Sequence, residues 1–157
     1  PSFKDAGAVA RFHRLFGEQG IPAERLTFRG PVRLDAMMQA YGEVDIALDP
    51  FPYCGGTTTL QALWMGVPVL TMQGGQFVSR MGASFMTAAG LPDWIAKDDA
   101  AYVAQAAALG EDRQALLDLE RGLRARLLAR PGWDADRYAA DFGVALRKMW
   151  RKTMEHP

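Results

Sequence analysis

Residues 49–70 read Asp-Pro-Phe-Pro-Tyr-Cys-Gly-Gly-Thr-Thr-Thr-Leu-Gln-Ala-Leu-Trp-Met-Gly-Val-Pro-Val-Leu, and this run combines a strand end, a glycine turn and a helix. The apolar residues 44–48 deliver the chain to the turn as a predicted strand. Gly55 and Gly56 permit backbone angles and close approaches that a side chain would forbid. This order of parts is typical of open parallel sheets, which bind ligands beyond the carboxyl ends of their strands.

The threonines that open the predicted helix have the properties of an anion site. Thr57, Thr58 and Thr59 supply hydroxyls and main-chain amides at the first turn, where amides have no intrahelical partner. The helix dipole adds partial positive charge at the same end. A pyrophosphate group is therefore the predicted ligand of residues 55–59. The alternative is a threonine that only caps a helix after an ordinary glycine turn.

The rest of the chain alternates short apolar runs with helical patterns, which predicts an α/β fold with a Rossmann-like parallel sheet and C-terminal helices. Strands are expected side by side at residues 25–28, 44–48 and 67–72, with a brief extended piece at residues 93–96. Helices are expected at residues 6–18, 34–41, 58–65, 78–88, 99–109, 113–128 and 133–152.

Composition narrows the classes of protein to which the chain can belong. Its 157 residues are enough for one domain with a hydrophobic core, and a net charge of zero argues against nucleic-acid or membrane binding driven by bulk charge. Cys54 is the only cysteine, which excludes a disulfide framework and favours a reducing, cytoplasmic compartment. The chain begins at Pro1 rather than Met, so we expect a piece of a longer protein.

Four segments of the chain resemble one protein family. They are Asp-Ile-Ala-Leu-Asp-Pro-Phe-Pro-Tyr at 45–53, Gly-Gly-Thr-Thr-Thr at 55–59, Ala-Leu-Trp-Met-Gly-Val-Pro-Val at 62–69 and Ser-Arg-Met-Gly-Ala-Ser at 79–84. These segments are similar to the O-GlcNAc transferase family, including its plant SPINDLY branch and bacterial, Xanthomonas-like members with tetratricopeptide repeats. The resemblance covers residues 25–150. It implies that residues 1–157 are the nucleotide-sugar-binding domain, incomplete at its N-terminus, in the C-terminal half of a GT-B glycosyltransferase.

The resemblance also implies a reaction. It is the transfer of N-acetylglucosamine from UDP-N-acetylglucosamine to protein Ser or Thr hydroxyls, with inversion of the anomeric centre and without a metal or other cofactor. Thr57 and Thr58 match positions that contact the donor diphosphate, and Gln61 matches the ribose position, where the family usually carries Asp or Glu. The alternative for Gln61 is a partly buried polar residue of the helix without a ligand. The catalytic residues and the repeats that hold the acceptor are expected outside this chain. We therefore expect the chain alone to transfer no sugar.

Departures from the family pattern at Gly56, Gln61, Leu34 and Met37 leave alternatives open. Gly56 stands where human-type enzymes have a histidine. Val32, Leu34 and Met37 align with the segment that frames the uracil base, but Leu34 and Met37 replace a lysine and a histidine, and their spacing favours the core face of a helix. A protein O-fucosyltransferase that uses GDP-fucose is one alternative. A degenerate GT-B module that serves only in interactions is the other.

Three residues near the predicted glycine loop are expected to have structural roles. Ser79 and Arg80 match a Ser-Arg pair of the family, and we expect them to pin the loop of Gly74 and Gly75. The alternative for Arg80 is a contact with a phosphate or with a carboxylate from another part of the enzyme. Asp49, at the end of the predicted strand, is a candidate for organising the glycine loop.

The remaining candidates receive no chemical role from the sequence. Phe51, Tyr53 and Trp64 are interpreted as packing residues. His13 and His156 have no partner at metal-ligand spacing, so no metal site is predicted.

Overall fold

The computed structural model describes residues 3–155 and divides into two compact units, one ending at Ala40 and one beginning at Tyr41. The first unit holds helices α1 (Ala6–Gly17) and α2 (Leu34–Ala40). Asp5 caps α1, because its Oδ1 accepts the amide of Gly7 at 2.7 Å. The helices predicted at residues 6–18 and 34–41 are confirmed to within one residue.

The strand predicted at residues 25–28 is wrong. Arg25 ends a short 3-10 helix (Ala23–Arg25), and no strand pairing involves these residues within the described part of the chain. Phe28 instead joins an aromatic cluster in which its ring centroid lies 5.1 Å from Phe3 and 5.0 Å from His13. Ring packing therefore takes the place of a backbone ladder in this unit.

The second unit is built on a parallel sheet of three strands in the order β1 (Ala47–Leu48), β2 (Val69–Met72) and β3 (Ile95–Ala96). Ala47 lies opposite Val69 and Thr71 lies opposite Ile95. Every residue of the central strand β2 is buried. The predicted parallel sheet is confirmed, although its strands are shorter than the apolar runs that predicted them.

Five helices accompany the sheet, and each corresponds to a predicted helix. They are α3 (Thr57–Trp64), α4 (Met81–Ala89), α5 (Asp99–Glu111), α6 (Arg113–Leu128) and α7 (Ala135–Glu155). The main difference lies before α4, which was expected to begin at residue 78. Phe77–Ser79 forms a separate 3-10 helix because the Ser79 hydroxyl accepts the Gln76 amide at 3.1 Å and holds a tight turn there.

The core of the second unit lies where β2 meets helices α3, α4 and α6. Its largest fully buried side chains come from all four elements and include Leu63, Leu70, Met86, Leu123 and Leu127. Burying a side chain of this kind contributes about 1.5–3 kcal/mol, so the packing of α3 and α4 on β2 fixes the ends of these elements. The candidate site lies at those ends.

Helix α7 differs from the other helices because almost all of its side chains are exposed. Its exposed residues include large apolar side chains such as Phe142, Met149 and Trp150. No helix in residues 3–155 is both long enough and apolar enough to cross a membrane.

Candidate functional site

The glycine loop lies between the carboxyl end of β1 and the first turn of α3. Gly56 is the residue that precedes α3, and it offers no side chain to cap the helix. The main-chain oxygen of Gly56 accepts the Leu60 amide at 3.2 Å, which starts the helical hydrogen-bond pattern. The first-turn amides of α3 are thus left without a capping side chain, as an anion site requires.

The three threonines in the first turn of α3 lie in different environments. Thr57 and Thr58 are exposed at the start of α3, whereas Thr59 is buried with its Oγ1 directed at Gly55. A Cβ on Gly55 would meet the hydroxyl oxygens of Thr59 and Thr58. The predicted close approach is therefore confirmed at Gly55, while neither glycine of the loop adopts a positive φ.

Asp49 links the loop to the sheet. Its side chain is only 5% exposed, and its Oδ1 accepts the main-chain amide of Gly55 at 2.7 Å. Its Oδ2 accepts the hydroxyl of Thr71, on β2, also at 2.7 Å. The expectation that Asp49 organises the loop is confirmed by these two bonds.

Two tyrosines hold the backbone on either side of the loop. Tyr102, on α5, donates its hydroxyl to the main-chain oxygen of Asp49 at 2.9 Å. Tyr41 donates to the main-chain oxygen of Thr58 at 3.1 Å. Burial raises the pKa of both phenols, and the neighbouring Asp49 raises the pKa of Tyr102 further. Both hydroxyls therefore keep the protons that they donate at neutral pH.

Cys54 lies directly before the glycine pair and is 1% exposed. Its Sγ lies 3.9 Å from Thr71 Oγ1. Burial is the main cause that raises the pKa of this thiol, with a smaller contribution from the charge of Asp49. Because the thiolate is the reactive form, Cys54 is a packing residue rather than a nucleophile.

The second glycine loop is pinned as the sequence predicts. Arg80 Nε donates to the main-chain oxygen of Gly74 at 3.3 Å, and the Gly74 amide donates to the main-chain oxygen of Ser79 at 2.9 Å. The structural role predicted for the Ser-Arg pair is confirmed.

The other candidate residues are dispersed. Gln61 is half-buried on α3, one turn after Thr57. Val32, Leu34 and Met37 belong to the first unit, where Met37 is half-buried and Val32 is exposed. Leu34 is 62% exposed, so its assignment to a core face is wrong: as the first residue of α2, it lies where the helix has no preceding turn to cover it.

The aromatic residues near the loop do not share one role. Trp64 packs beneath Arg124, as its interpretation as a packing residue predicts. Tyr53 is 71% exposed, so that interpretation is wrong for Tyr53. It holds in part for Phe51, which is 48% exposed but has its ring next to Gly74. They lie in a loop, where aromatic character alone does not bring burial. His156 lies outside the described residues.

Three residues that hold the loop, Tyr41, Thr71 and Tyr102, were missed at the sequence level. Tyr102 follows Asp49 by 53 positions, and nothing in the local pattern of α5 marks it. Thr71 had one signal, since it is a polar residue within an otherwise apolar buried strand. Such a residue must find a hydrogen-bond partner, and here the partner is Asp49.

The surroundings of the loop include an open cavity but no cluster of metal ligands. A cavity of about 370 Å³ lies at the carboxyl ends of β1 and β2, between Phe51 and Tyr102. Within residues 3–155, no three His, Cys, Asp or Glu side chains are grouped so that they could hold a metal ion.

Several plant proteins are similar to this chain. It is 38% identical over 131 residues to a protein of Oryza sativa subsp. japonica named probable UDP-N-acetylglucosamine–peptide N-acetylglucosaminyltransferase SPINDLY, an alignment that covers 78% of the chain and 14% of that protein. A protein of the same name from Solanum lycopersicum is 34% identical over 90% of the chain and 15% of its own length. The chain thus spans only about one seventh of these relatives.

A solved structure and a family model support the same relationship. The structure of a mutant O-GlcNAc transferase from Thermobaculum terrenum matches 95% of the chain and 29% of its own chain, with a TM-score of 0.86 and 34% identity. The predicted fold, a Rossmann-like half of a GT-B glycosyltransferase, is confirmed by this match. The model of glycosyl transferase family 41 matches residues 3–142, and the chain belongs to that family.

Proposed function

We propose that the chain is the donor-binding part of a glycosyltransferase that moves N-acetylglucosamine from UDP-N-acetylglucosamine to protein Ser or Thr hydroxyls. In this proposal, residues 55–59 bind the donor diphosphate. One observation carries it: the uncapped first turn of α3 follows a glycine turn at the carboxyl end of β1, in a chain of family 41. The names of the relatives support this donor and this acceptor.

The loop and the first turn of α3 have the hydrogen-bond donors that the reaction needs. When the bond between the sugar and the diphosphate breaks, negative charge develops on the departing phosphate oxygens. The amides at the start of α3 and the exposed hydroxyls of Thr57 and Thr58 can donate to those oxygens, which would stabilise the transition state electrostatically. A Cβ at Gly56 would lie 3.3 Å from the methyl carbon of Met81, so a side chain at this position would crowd Met81 beside the loop.

We assign the nucleoside to two groups of residues. Gln61, one turn into α3, would accept a ribose hydroxyl through its amide oxygen. Val32, Leu34 and Met37 would frame the base, and the exposure of Val32 and Leu34 leaves apolar surface available for it. We choose these residues because they match nucleoside-binding positions of the family, and not because they line a cavity.

The proposal places the remaining machinery outside this chain, in a longer polypeptide. The chain would be its C-terminal nucleotide-sugar-binding domain, and the catalytic half and tetratricopeptide repeats would bind the acceptor. No cofactor, nucleic acid or membrane takes part in the proposed reaction. The single cysteine, which is free, supports a cytoplasmic location.

Calorimetric titration of the full-length protein with UDP and with GDP tests the proposal. We expect UDP to bind and GDP to bind more weakly. A preference for GDP would favour an O-fucosyltransferase instead. Failure to bind either nucleotide would refute donor binding and favour a degenerate interaction module.

A further inference from the structure

We propose that Asp49 is a positioning residue for the donor diphosphate, because its two carboxylate oxygens fix the glycine loop on strand β2. This inference rests on the proposed function. It assigns Asp49 no contact with the donor, since both oxygens already accept hydrogen bonds from within the protein.

The bonding of Asp49 indicates a role in orientation. Among the residues that the structure describes, no lysine or arginine forms an ion pair with this buried carboxylate. Its oxygens instead receive two neutral donors, the amide of Gly55 and the hydroxyl of Thr71, both at 2.7 Å. A buried carboxylate without a cation is a poor source of stability. Its effect is to hold a loop amide and a strand hydroxyl at fixed positions.

A third element prevents the carboxylate from moving away. Gly82, in the first turn of α4, lies so close that an added Cβ would overlap Asp49 Oδ2 and Thr71 Oγ1. The main chain of Asp49 is held as well, by Tyr102 at its oxygen and by Leu70 at its amide. The side chain is therefore confined by the loop, by β2 and by α4.

The position of Gly55 determines the direction of the amides that are proposed to donate hydrogen bonds to the phosphates. Gly55 is followed directly by Gly56 and Thr57, and the amides at the start of α3 are the donors offered to the diphosphate. Electrostatic stabilisation depends on such donors being oriented before the ligand arrives, and small displacements weaken it strongly. Loss of the Asp49 bonds should therefore reduce nucleotide affinity more than it reduces the stability of the fold.

Substitutions in the full-length protein separate orientation from general destabilisation. Asp49→Ala removes both acceptors, and we expect UDP to bind about tenfold more weakly or worse. Asp49→Asn should recover most of that affinity, because its amide oxygen can accept from Gly55 while its NH₂ group donates to a rotated Thr71 hydroxyl. Thr71→Val, which removes only one of the two bonds, should give an intermediate loss.

The control is Leu127→Ala, a fully buried core substitution outside the loop. It should lower the midpoint of urea unfolding at least as much as Asp49→Ala and leave UDP affinity unchanged. Equal loss of affinity in both variants would overturn the inference, because stability alone would then explain the result. Wild-type affinity in Asp49→Ala would also overturn it.

Cys54 provides a readout that needs no nucleotide. It adjoins Gly55, and its thiol is buried beside Thr71. Under native conditions, Asp49→Ala should speed thiol labelling of Cys54, measured by mass spectrometry of the peptide that carries it, and Asp49→Asn should slow it again. If the wild-type protein binds neither UDP nor GDP, the proposed function fails, and the labelling rates still decide whether Asp49 orders the loop. Equal rates in the wild-type and Asp49→Ala proteins would show that it does not.

Discussion

The guanidinium carbon of Arg124 lies 4.2 Å from the centroid of the Trp64 ring, so a cation on α6 covers the last residue of α3. Helix α3 carries the proposed diphosphate site at its opposite end. The contact therefore helps to fix the position of α3, whose first turn offers hydrogen-bond donors to the phosphates.

Replacing Arg124 by alanine should lower the free energy of unfolding by about 0.5–1 kcal/mol, the usual value of an exposed cation–π contact. Arg121→Ala is the matched control. That arginine lies on the same helix and has only a 4.0 Å ion pair with Asp118 between exposed side chains. Urea unfolding of both variants measures the difference, and equal effects would show that the ring contact contributes nothing.

Leu127 and Leu128 are neighbours in sequence with opposite environments. Leu127 is fully buried on α6, whereas Leu128 is 56% exposed. We expect Leu127→Ala to destabilise the protein by about 2–5 kcal/mol, because it leaves a cavity in the core. Leu128→Ala should change the free energy of unfolding by less than about 0.5 kcal/mol. Chemical denaturation distinguishes the two, and similar losses would contradict the observed burial.

Thr58→Ala in the full-length protein should weaken UDP binding by about tenfold, the effect of losing one hydrogen bond to a charged group. Thr153→Ala is a suitable control, since Thr153 is an exposed threonine on α7 whose hydroxyl bonds only the main-chain oxygen of Met149. Calorimetry gives both affinities. An unchanged affinity in Thr58→Ala would show that the diphosphate does not bind at the start of α3.

Two glycines in helices should respond to alanine with opposite signs. At Gly82 the added methyl group would overlap Thr71 Oγ1 and Asp49 Oδ2, and overpacking of this kind costs about 1–3 kcal/mol. At Gly122, in the interior of α6, nothing lies within 4 Å of the added Cβ, and alanine should stabilise the helix by up to about 1 kcal/mol. Thermal unfolding of the two variants checks both signs.

Stability should fall at alkaline pH through Cys54. Burial raises the pKa of its thiol, so the folded state keeps the proton at pH values where the unfolded state has lost it. The contribution of the protonated thiol to the free energy of unfolding is fully present below the unfolded pKa of about 8.5. It is lost as pH rises through the higher pKa of the folded state. Cys54→Ala should flatten the decline of unfolding free energy that begins near that pH. The same slope in both proteins would exclude the thiol as its cause.

Patterns that repeat along the chain predicted the fold well. Helix α6 was predicted with the bounds that the structure shows, Arg113–Leu128, and the structure adds that Asp112 caps its first turn. The parallel sheet followed from apolar runs between helices. The short run at residues 25–28 failed, because a strand needs a partner in space and the ring of Phe28 packs with other aromatic rings instead.

The candidate site was predicted only where it is contiguous in sequence. The order of strand, glycines and threonines is local, so residues 55–59 could be identified directly. The bonds from Asp49 to Thr71 and Tyr102 span 22 and 53 positions, and only the folded chain brings these groups together. The exposure of Tyr53 likewise depends on the path of its loop rather than on its residue type.

The central position of β2 also determines which parts of the chain unfold locally first and which unfold last. Its four residues are buried between two neighbouring strands, whereas nearly every side chain of α7 faces solvent. Helices with few buried contacts open by local fraying, while buried central strands open only when the whole unit unfolds. In heavy water, deuterium should therefore enter the amides of α7 early and those of Val69–Met72 last.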